Sequence, residues 1–466
     1  MATLPVRPAL EQVKKQAKEL LHSHKSGDPQ SCEILKRLKR FSDTSDAEIL
    51  KTPIALHEAQ YAIALLYGFD SWAKMKKAID QKRIGFAKNS NPVVEVLRSL
   101  PKGESVLAVD IGSGTVKVAE FDNPLDGSFS LLSFAVKSYG GLDGKTDMGK
   151  ALGDALRDMR SKSPCKGSKC LVSIPSTVMF MRYVSLTIDE NAKDKLASLI
   201  ASKVSEERQA ISRAIGESVS DHYVAMSPDN KECKILVAAV RKQWLRQVVK
   251  TIQRVGLDPI MIYPAQLAFY NGAVANKIGQ DRCEMILNIG KESSTLCFCD
   301  KENYYLRSWP LGGDAISAEI ARALGVPFDE AEELKREHAA FSMVETEVNA
   351  NSEKAPAIMK IIREVMTREH EEIKRAIGVF TAQEKGNAPT SLYLAGGSTL
   401  FTHMTRFFSE KLGVPVQYLN CFQKITLSQS VNRDELSEVA HLFAELIGLE
   451  LSPTRLCPVV LSLKHI

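Results

Sequence analysis

The sequence predicts an α/β fold preceded by a small all-α module, and three observations carry that prediction. Two apolar strands, Ser105–Asp110 and Met285–Ile289, each lead into a glycine turn followed by a second strand. A third buried strand, Ser391–Leu394, feeds the Gly396-Gly397 turn. Helical periodicity separates these strands, the alternation that lays helices over sheets.

The first element is helical. From Pro8 to Ile79, Leu10, Val13, Ala17, Leu20 and Leu21 share one face while Lys14, Lys15 and Lys18 fall elsewhere. A second stripe, Leu56, Ala59, Ile63 and Leu66, ends at Gly68, and Ser71 is placed to cap a short helix carrying Trp72 and Met75. Residues 82–103, with Asn89, Asn91, Pro92 and Pro101, read as a linker. Strands follow at Ser105–Asp110, Thr115–Phe121 and Phe129–Lys137, then a helix at Met148–Met159 and a strand at Leu171–Ile174. Met179–Leu186, a helix from Asn191 to about Ile215, Asp221–Met226, Lys234–Val240 and a helix ending at Val255 make a β-α-β-β-α insertion. The sheet resumes with Met261–Tyr263, Met285–Ile289 and Leu296–Phe298, where Cys297 and Cys299 point to one face as packing thiols. Helices are expected over Gly313–Leu324, Asp329–His338 and Ala355–Phe380, and a closing helix over Ser437–Ile447.

Composition narrows the function classes. At 466 residues several domains are expected, and 44% hydrophobic with 25% charged residues is ordinary for a globular protein. No apolar run approaches the roughly 20 residues that cross a bilayer, and residues 1–15 lack the apolar core of a secretory signal. A cytoplasmic protein is expected. Nine scattered cysteines with no finger-like histidine spacing argue against zinc. Residues 1–103 hold 18 Lys and Arg against 11 Asp and Glu, a charge of +7, and the remainder carries −2. The basic residues alternate with apolar ones at helical spacing, as on a solvated face, and no nucleic-acid partner is expected.

The turns carry the chemistry. In Asp110-Ile111-Gly112-Ser113-Gly114-Thr115-Val116-Lys117 a buried strand ends in a carboxylate, and the glycines bring the backbone close to a ligand. Ser113, Thr115 and the turn N–H groups can face phosphate oxygens, with Lys117 as a point charge. Asp110 suits a hydrated Mg²⁺, which keeps most of its waters. Asn288-Ile289-Gly290-Lys291-Glu292-Ser293-Ser294-Thr295 repeats the arrangement, and Ala395-Gly396-Gly397-Ser398 offers bare backbone to an adenosine. No Walker motif occurs, and no helix directly follows the first turn as a Rossmann site requires.

These three motifs resemble the phosphate-1, phosphate-2 and adenosine motifs of the actin-like ATPase superfamily. More closely, residues 107–449 resemble its PilM and FtsA branch, through Val172-Ser173-Ile174-Pro175, Arg182-Tyr183-Val184-Ser185-Leu186, Leu311-Gly312-Gly313-Asp314 and Ile447-Gly448-Leu449. The resemblance implies an actin-like, ribonuclease H-like fold of two lobes. Its first lobe would span 104–177 and 259–283, with the inserted subdomain at 178–258 and the second lobe at 284–452. A helical module, 1–81, would precede it, and a tail, 453–466, would follow. ATP and Mg²⁺ are the implied cofactors. Gly112, Ser113, Gly114, Thr115, Lys117, Gly290, Gly312 and Gly313 would meet phosphates, and Gly396, Gly397, Ser398, Glu332 and Lys335 the adenosine. Asp110 and Asn288 would face the metal through water, and Tyr263–Ala268 would be a packing and hinge segment.

The family's second phosphate motif usually begins with Asp, and this chain has Asn288. An amide supplies neither negative charge nor a base, so the expectation is ATP binding with weak or absent hydrolysis. The implied partner is the cytoplasmic tail of an inner-membrane PilN-like protein, docked beside the insertion, with indirect membrane association and self-association also implied. Two alternatives stand beside this adaptor for a type IV pilus or type II secretion-like complex. One is an FtsA-like division filament, whose amphipathic terminal helix Leu456–Ile466 does not supply. The other is a sugar kinase, for which no substrate-cleft carboxylate stands out.

Overall fold

The computed structural model describes residues 10–67, 69–76, 97, 99–101, 103–122, 130–139, 148–162, 167–187, 196–226, 232–300, 303–338, 354–383, 386–423 and 425–451. The chain divides into two units, Met1–Pro92 and Val93–Ile466. Gly68, most of the expected linker, the start of the helix expected from Asn191, and the expected tail lie outside the described residues.

In the first unit α1 (Leu10–Lys25), α2 (Gln30–Leu35), α3 (Asp46–Lys51) and α4 (Leu56–Leu66) surround their own core. Val13, Ala17 and Leu20 of α1 are buried in one cluster with Ala59 and Ile63 of α4, as their spacing predicts. Leu56 is an exception: at the first position of α4 it stays exposed. Glu48 accepts hydrogen bonds from the Ser45 hydroxyl (2.8 Å) and backbone N–H (3.4 Å) to start α3. The expected cap at Ser71 forms, its hydroxyl accepting from Lys74 N at 3.1 Å.

The second unit begins with β1 (Ser105–Ile111), β2 (Thr115–Asp122), β3 (Ser130–Ser138), α5 (Met148–Lys162) and β4 (Lys169–Ile174). The insertion follows as β5 (Met179–Thr187), α6 (Leu196–Ile215), β6 (Val219–Met226), β7 (Glu232–Arg241) and α7 (Lys242–Arg254), its strands forming a separate sheet in the order β5-β7-β6. Next come β8 (Asp258–Pro264), α8 (Ala265–Ala275), β9 (Glu284–Ile289), β10 (Ser294–Asp300), β11 (Asn303–Trp309), α9 (Gly313–Leu324), α10 (Phe328–Glu337) and α11 (Ala355–Ala382). The chain continues through β12 (Leu392–Ala395), α12 (Met404–Leu412), β13 (Val416–Tyr418), β14 (Thr426–Leu427), α13 (Arg433–Val439) and α14 (Ala444–Leu451).

Two large sheets result, ordered β14-β3-β2-β1-β4-β8 and β11-β10-β9-β12-β13. Apart from β14 their designs coincide. Each begins with a three-stranded antiparallel meander and adds two parallel strands beside its first-formed strand. Asp110 pairs with Lys117 across the first hairpin, and Asn288 with Thr295 across the second. In each turn the first glycine donates its N–H to the carbonyl three residues on, Gly112 to Thr115 and Gly290 to Ser293, both at 2.9 Å. Asp110 and Asn288 therefore hold equivalent places in the two sheets.

The single closing helix expected at Ser437–Ile447 is instead three pieces, α13, a 3-10 turn at Ala440–Leu442, and α14. The break has a cause in the fold: the His441 carbonyl accepts from Gly396 N at 3.2 Å, tying this segment to the Gly-Gly turn. Beyond the break α14 crosses α8 in backbone contact. A Cβ on Gly448 would lie 1.7 Å from the Ala268 carbonyl oxygen, and one on Gly272 would lie 2.3 Å from that of Ala444. Glycine at both positions lets the two helices that bridge the sheets approach this closely.

Candidate functional site

The tips of the two hairpins, the Gly-Gly turn, and the starts of α8 and α14 converge on one cleft of about 350 Å³, within the range of small-molecule sites. Of the residues marked in the sequence, Asp110, Gly112, Ser113, Gly114, Thr115, Lys117, Asn288, Gly290, Gly313, Glu332, Lys335, Gly396, Gly397 and Ser398 line it. Gly312 does not. It is wedged beneath the second hairpin, where a Cβ would come within 2.6 Å of the Lys291 carbonyl. Gly313 borders the cleft, but its N–H donates to Gly290 O at 3.0 Å and Asp314 N to Lys291 O at 2.8 Å. Both N–H groups at this helix start are thus committed to the hairpin.

Other turn N–H groups are available. Among the described residues, no acceptor takes the backbone N–H of Ser113 or Gly114 in the first hairpin, of Lys291 in the second, or of Gly397 and Ser398. Gly396 permits this arrangement through its left-handed φ of 89°, and a Cβ there would overlap Asn288 Oδ1 at 2.2 Å. Ser398 Oγ donates to Gly290 O at 3.0 Å, joining the Gly-Gly turn to the second hairpin. From the other side Tyr139 steadies the first turn, donating its hydroxyl to Gly112 O at 2.5 Å and its N–H to Gly114 O at 3.0 Å. Backbone donors facing one cleft suit a polyanion, and the close approach of bare backbone suits a flat ring.

On the α10 wall Lys335 is buried and donates to Gly313 O (3.1 Å) and Glu332 Oε2 (2.6 Å). Ser317 also donates to Glu332 Oε2 at 2.6 Å, and Arg336 to Oε1 at 3.1 Å. Burial acts to raise the Glu332 pKa, but Lys335, Ser317 and Arg336 outweigh it and hold the carboxyl below the ordinary glutamate value. Lys291 reaches Asp314 at 2.6 Å.

The charged centre lies beneath the turns. Asp110 is buried and accepts from Lys117 Nζ on one oxygen and from the Ser173 hydroxyl on the other. Burial opposes the Lys117 charge, yet the carboxylates of Asp110 and Glu445 together hold its pKa above the usual lysine value. Glu445, on the first turn of α14, accepts a hydrogen bond from the Asn288 side-chain amide. Burial pushes its carboxyl up to about 7; Lys117 pulls it down, Asp110 pushes it up, and the Asn288 bond lowers it further. His441 is neutral, its pKa lowered to about 4 by burial and then by Lys117.

Glu445 and Tyr139 had no marker in the sequence, being respectively 335 residues beyond Asp110 and outside the three glycine turns singled out above. Gln266 lay within the expected packing segment, and the structure places it on the cleft wall. It is 4% exposed, and no described residue pairs with its carbonyl oxygen. Among the described residues no three His, Cys, Asp or Glu side chains converge into a direct metal cage. The donor set of carboxylates and amide oxygens instead suits Mg²⁺ held largely through its own waters.

Two sheets of one design, closing on a cleft of glycine turns with an inserted three-stranded subdomain, define an actin-like two-lobed protein. The type IV pilus assembly protein PilM family matches residues 108–453, about three quarters of the sequence, and the chain belongs to that family. Among solved structures it is similar to a chain of a PilM–PilN type IV pilus biogenesis complex, with 20% identity over 76% of this chain and 100% of that one (TM-score 0.61). More distant similarities include the ethanolamine utilization protein EutJ from Carboxydothermus hydrogenoformans (14% identity, 78% and 95% coverage, TM-score 0.42). MreB5 of Spiroplasma citri bound to AMPPNP is comparable (11%, 75% and 96%, TM-score 0.39). No curated protein sequence matches the chain. No helix among the described residues is long and apolar enough to cross a membrane.

Proposed function

We propose that this chain is an ATP-binding adaptor of type IV pilus assembly that recruits the cytoplasmic tail of a PilN-like membrane protein and turns ATP over slowly or not at all. The observation that carries the reading is the set of unpaired N–H groups on three glycine turns around one cleft, above the buried Asp110–Lys117 pair. The turns at Ser113–Gly114 and Lys291 would hold the phosphates from two sides, with Lys117 beneath them. Gly396, Gly397 and Ser398 would lie along the adenosine, with Glu332 and Lys335 at the ribose and base. Bound Mg²⁺ would neutralise phosphate charge. Asn288 and Gln266, the amide side chains lining the cleft, accept no proton. Neither amide can serve as the base of hydrolysis, which favours a stable complex over turnover.

The tail would dock beside the insertion, and membrane association would come through that partner. Titration of the full chain with a fluorescent ATP analogue tests the reading. Binding that is lost in Asp110→Asn, with hydrolysis under about one turnover per minute, is the expected outcome. A wild-type chain that binds no nucleotide, or that hydrolyses ATP briskly, overturns it.

A further inference from the structure

Equivalent positions in the two hairpins differ in charge, with Asp110 in the first and Asn288 in the second. The second sheet nevertheless has a carboxylate beside the place where an aspartate would stand. The Asn288 side-chain amide donates to Glu445, and no other described side chain donates to that carboxylate. Glu445 borders the same cleft as Asp110 and reaches it from α14, whose position is set by the backbone crossing of Gly448 and Gly272 on α8.

Charge balance points the same way. The buried centre holds two carboxyl groups, Asp110 and Glu445, against one ammonium, Lys117. His441, which also senses Lys117, is neutral and adds no positive charge. Two carboxyl groups that line the cleft and share one ammonium form a donor set for a hydrated divalent cation, which needs only one or two carboxylates beside substrate phosphates.

We infer that Glu445 supplies the cation-facing carboxylate that the second hairpin lacks, so that Asp110 and Glu445 together hold nucleotide-bound Mg²⁺ through its waters while Asn288 orients Glu445. The inference rests on the nucleotide-binding reading above. It changes the role of Asn288: its amide nitrogen is committed to Glu445, which makes it a positioning residue. An aspartate at 288 would instead set two buried carboxylates against each other, a repulsion the amide avoids.

A carboxylate swap tests this. Affinity for the fluorescent ATP analogue is measured with Mg²⁺ and with EDTA for the wild type, Glu445→Gln, and the double variant Asn288→Asp/Glu445→Gln, each checked for folding by its melting curve. In the wild type Mg²⁺ is expected to tighten binding by about tenfold or more. Glu445→Gln loses that gain. The double variant, with its carboxylate returned to the hairpin, recovers the Mg²⁺ gain. Retention of the full gain by Glu445→Gln overturns the inference and leaves nucleotide binding standing, whereas a wild type that binds no nucleotide overturns both. Should Glu445→Gln fail to fold, the double variant decides: nucleotide binding without the Mg²⁺ gain overturns the inference.

Discussion

At the scale of single residues, this unit keeps ionisable groups buried where one partner sets their state. Glu369 of α11 is fully buried in the core of the second sheet, its Oε2 accepting from Trp309 Nε1 at 3.0 Å. Burial raises its carboxyl to about 7, with the Trp309 hydrogen bond and the nearby Ser294 hydroxyl pulling against that and Glu372 adding to it. A carboxyl whose folded pKa exceeds its unfolded one binds its proton more tightly in the native state. The resulting stability is fully present below the unfolded value of 4.5, falls as pH rises through the window to about 7, and is flat above it. Glu369→Gln keeps an acceptor for Trp309 and removes the charge. Urea unfolding should find this variant more stable than wild type by roughly 3 kcal/mol at pH 8, with the difference nearly gone near pH 4.5. A pH-independent difference would show that Glu369 does not titrate in this window. The same scale explains what the sequence hid. Asp110, Lys117 and Asn288 were legible because turn chemistry is local. Glu445, Gln266 and Ser173 reach the site only through strand register and a helix crossing, and no turn chemistry marks them.

Among the elements, the α8–α14 crossing links packing to the site. Gln266 sits on the first turn of α8, and Glu445 lies three residues before Gly448 on α14. Gly448→Ala would drive a methyl group into the Ala268 carbonyl and the Gly272 amide and push the helices apart. The expected cost is about 1–3 kcal/mol in chemical denaturation, with weaker nucleotide binding. Unchanged affinity in a destabilised variant would separate the crossing from the cleft. Most strands and helices of the fold were readable from periodicity, including the β-α-β-β-α insertion. The elements that escaped are the strands β11, β13 and β14 and the helices α8 and α12. β11 and β13 form the two edges of their sheet and β14 the edge of the other, and these short or mixed sequences take their strand form from a neighbour. The closing helix was placed correctly in outline but not its break, because the bond that divides it comes from Gly396, 45 residues earlier than His441.

For the molecule as a whole, the helical unit has a core of its own, built from Val13, Ala17, Leu35, Ile49, Ile63 and Met75. The cleft is built entirely from residues after Pro92. A chain starting at Val93 should therefore fold and bind nucleotide and partner tail with affinities within about threefold of full length, by fluorescence titration. A larger loss would assign the helical unit a part in the site. The repeated sheet design has a final consequence. Two walls of one blueprint would, if chemically alike, receive a ligand equally well in either direction. They are not alike: where the first wall presents the Lys117 ammonium, the equivalent place in the second presents the Thr295 hydroxyl. The duplicated frame thus has a polarity, and a guest with one anionic end has a single favourable heading within it.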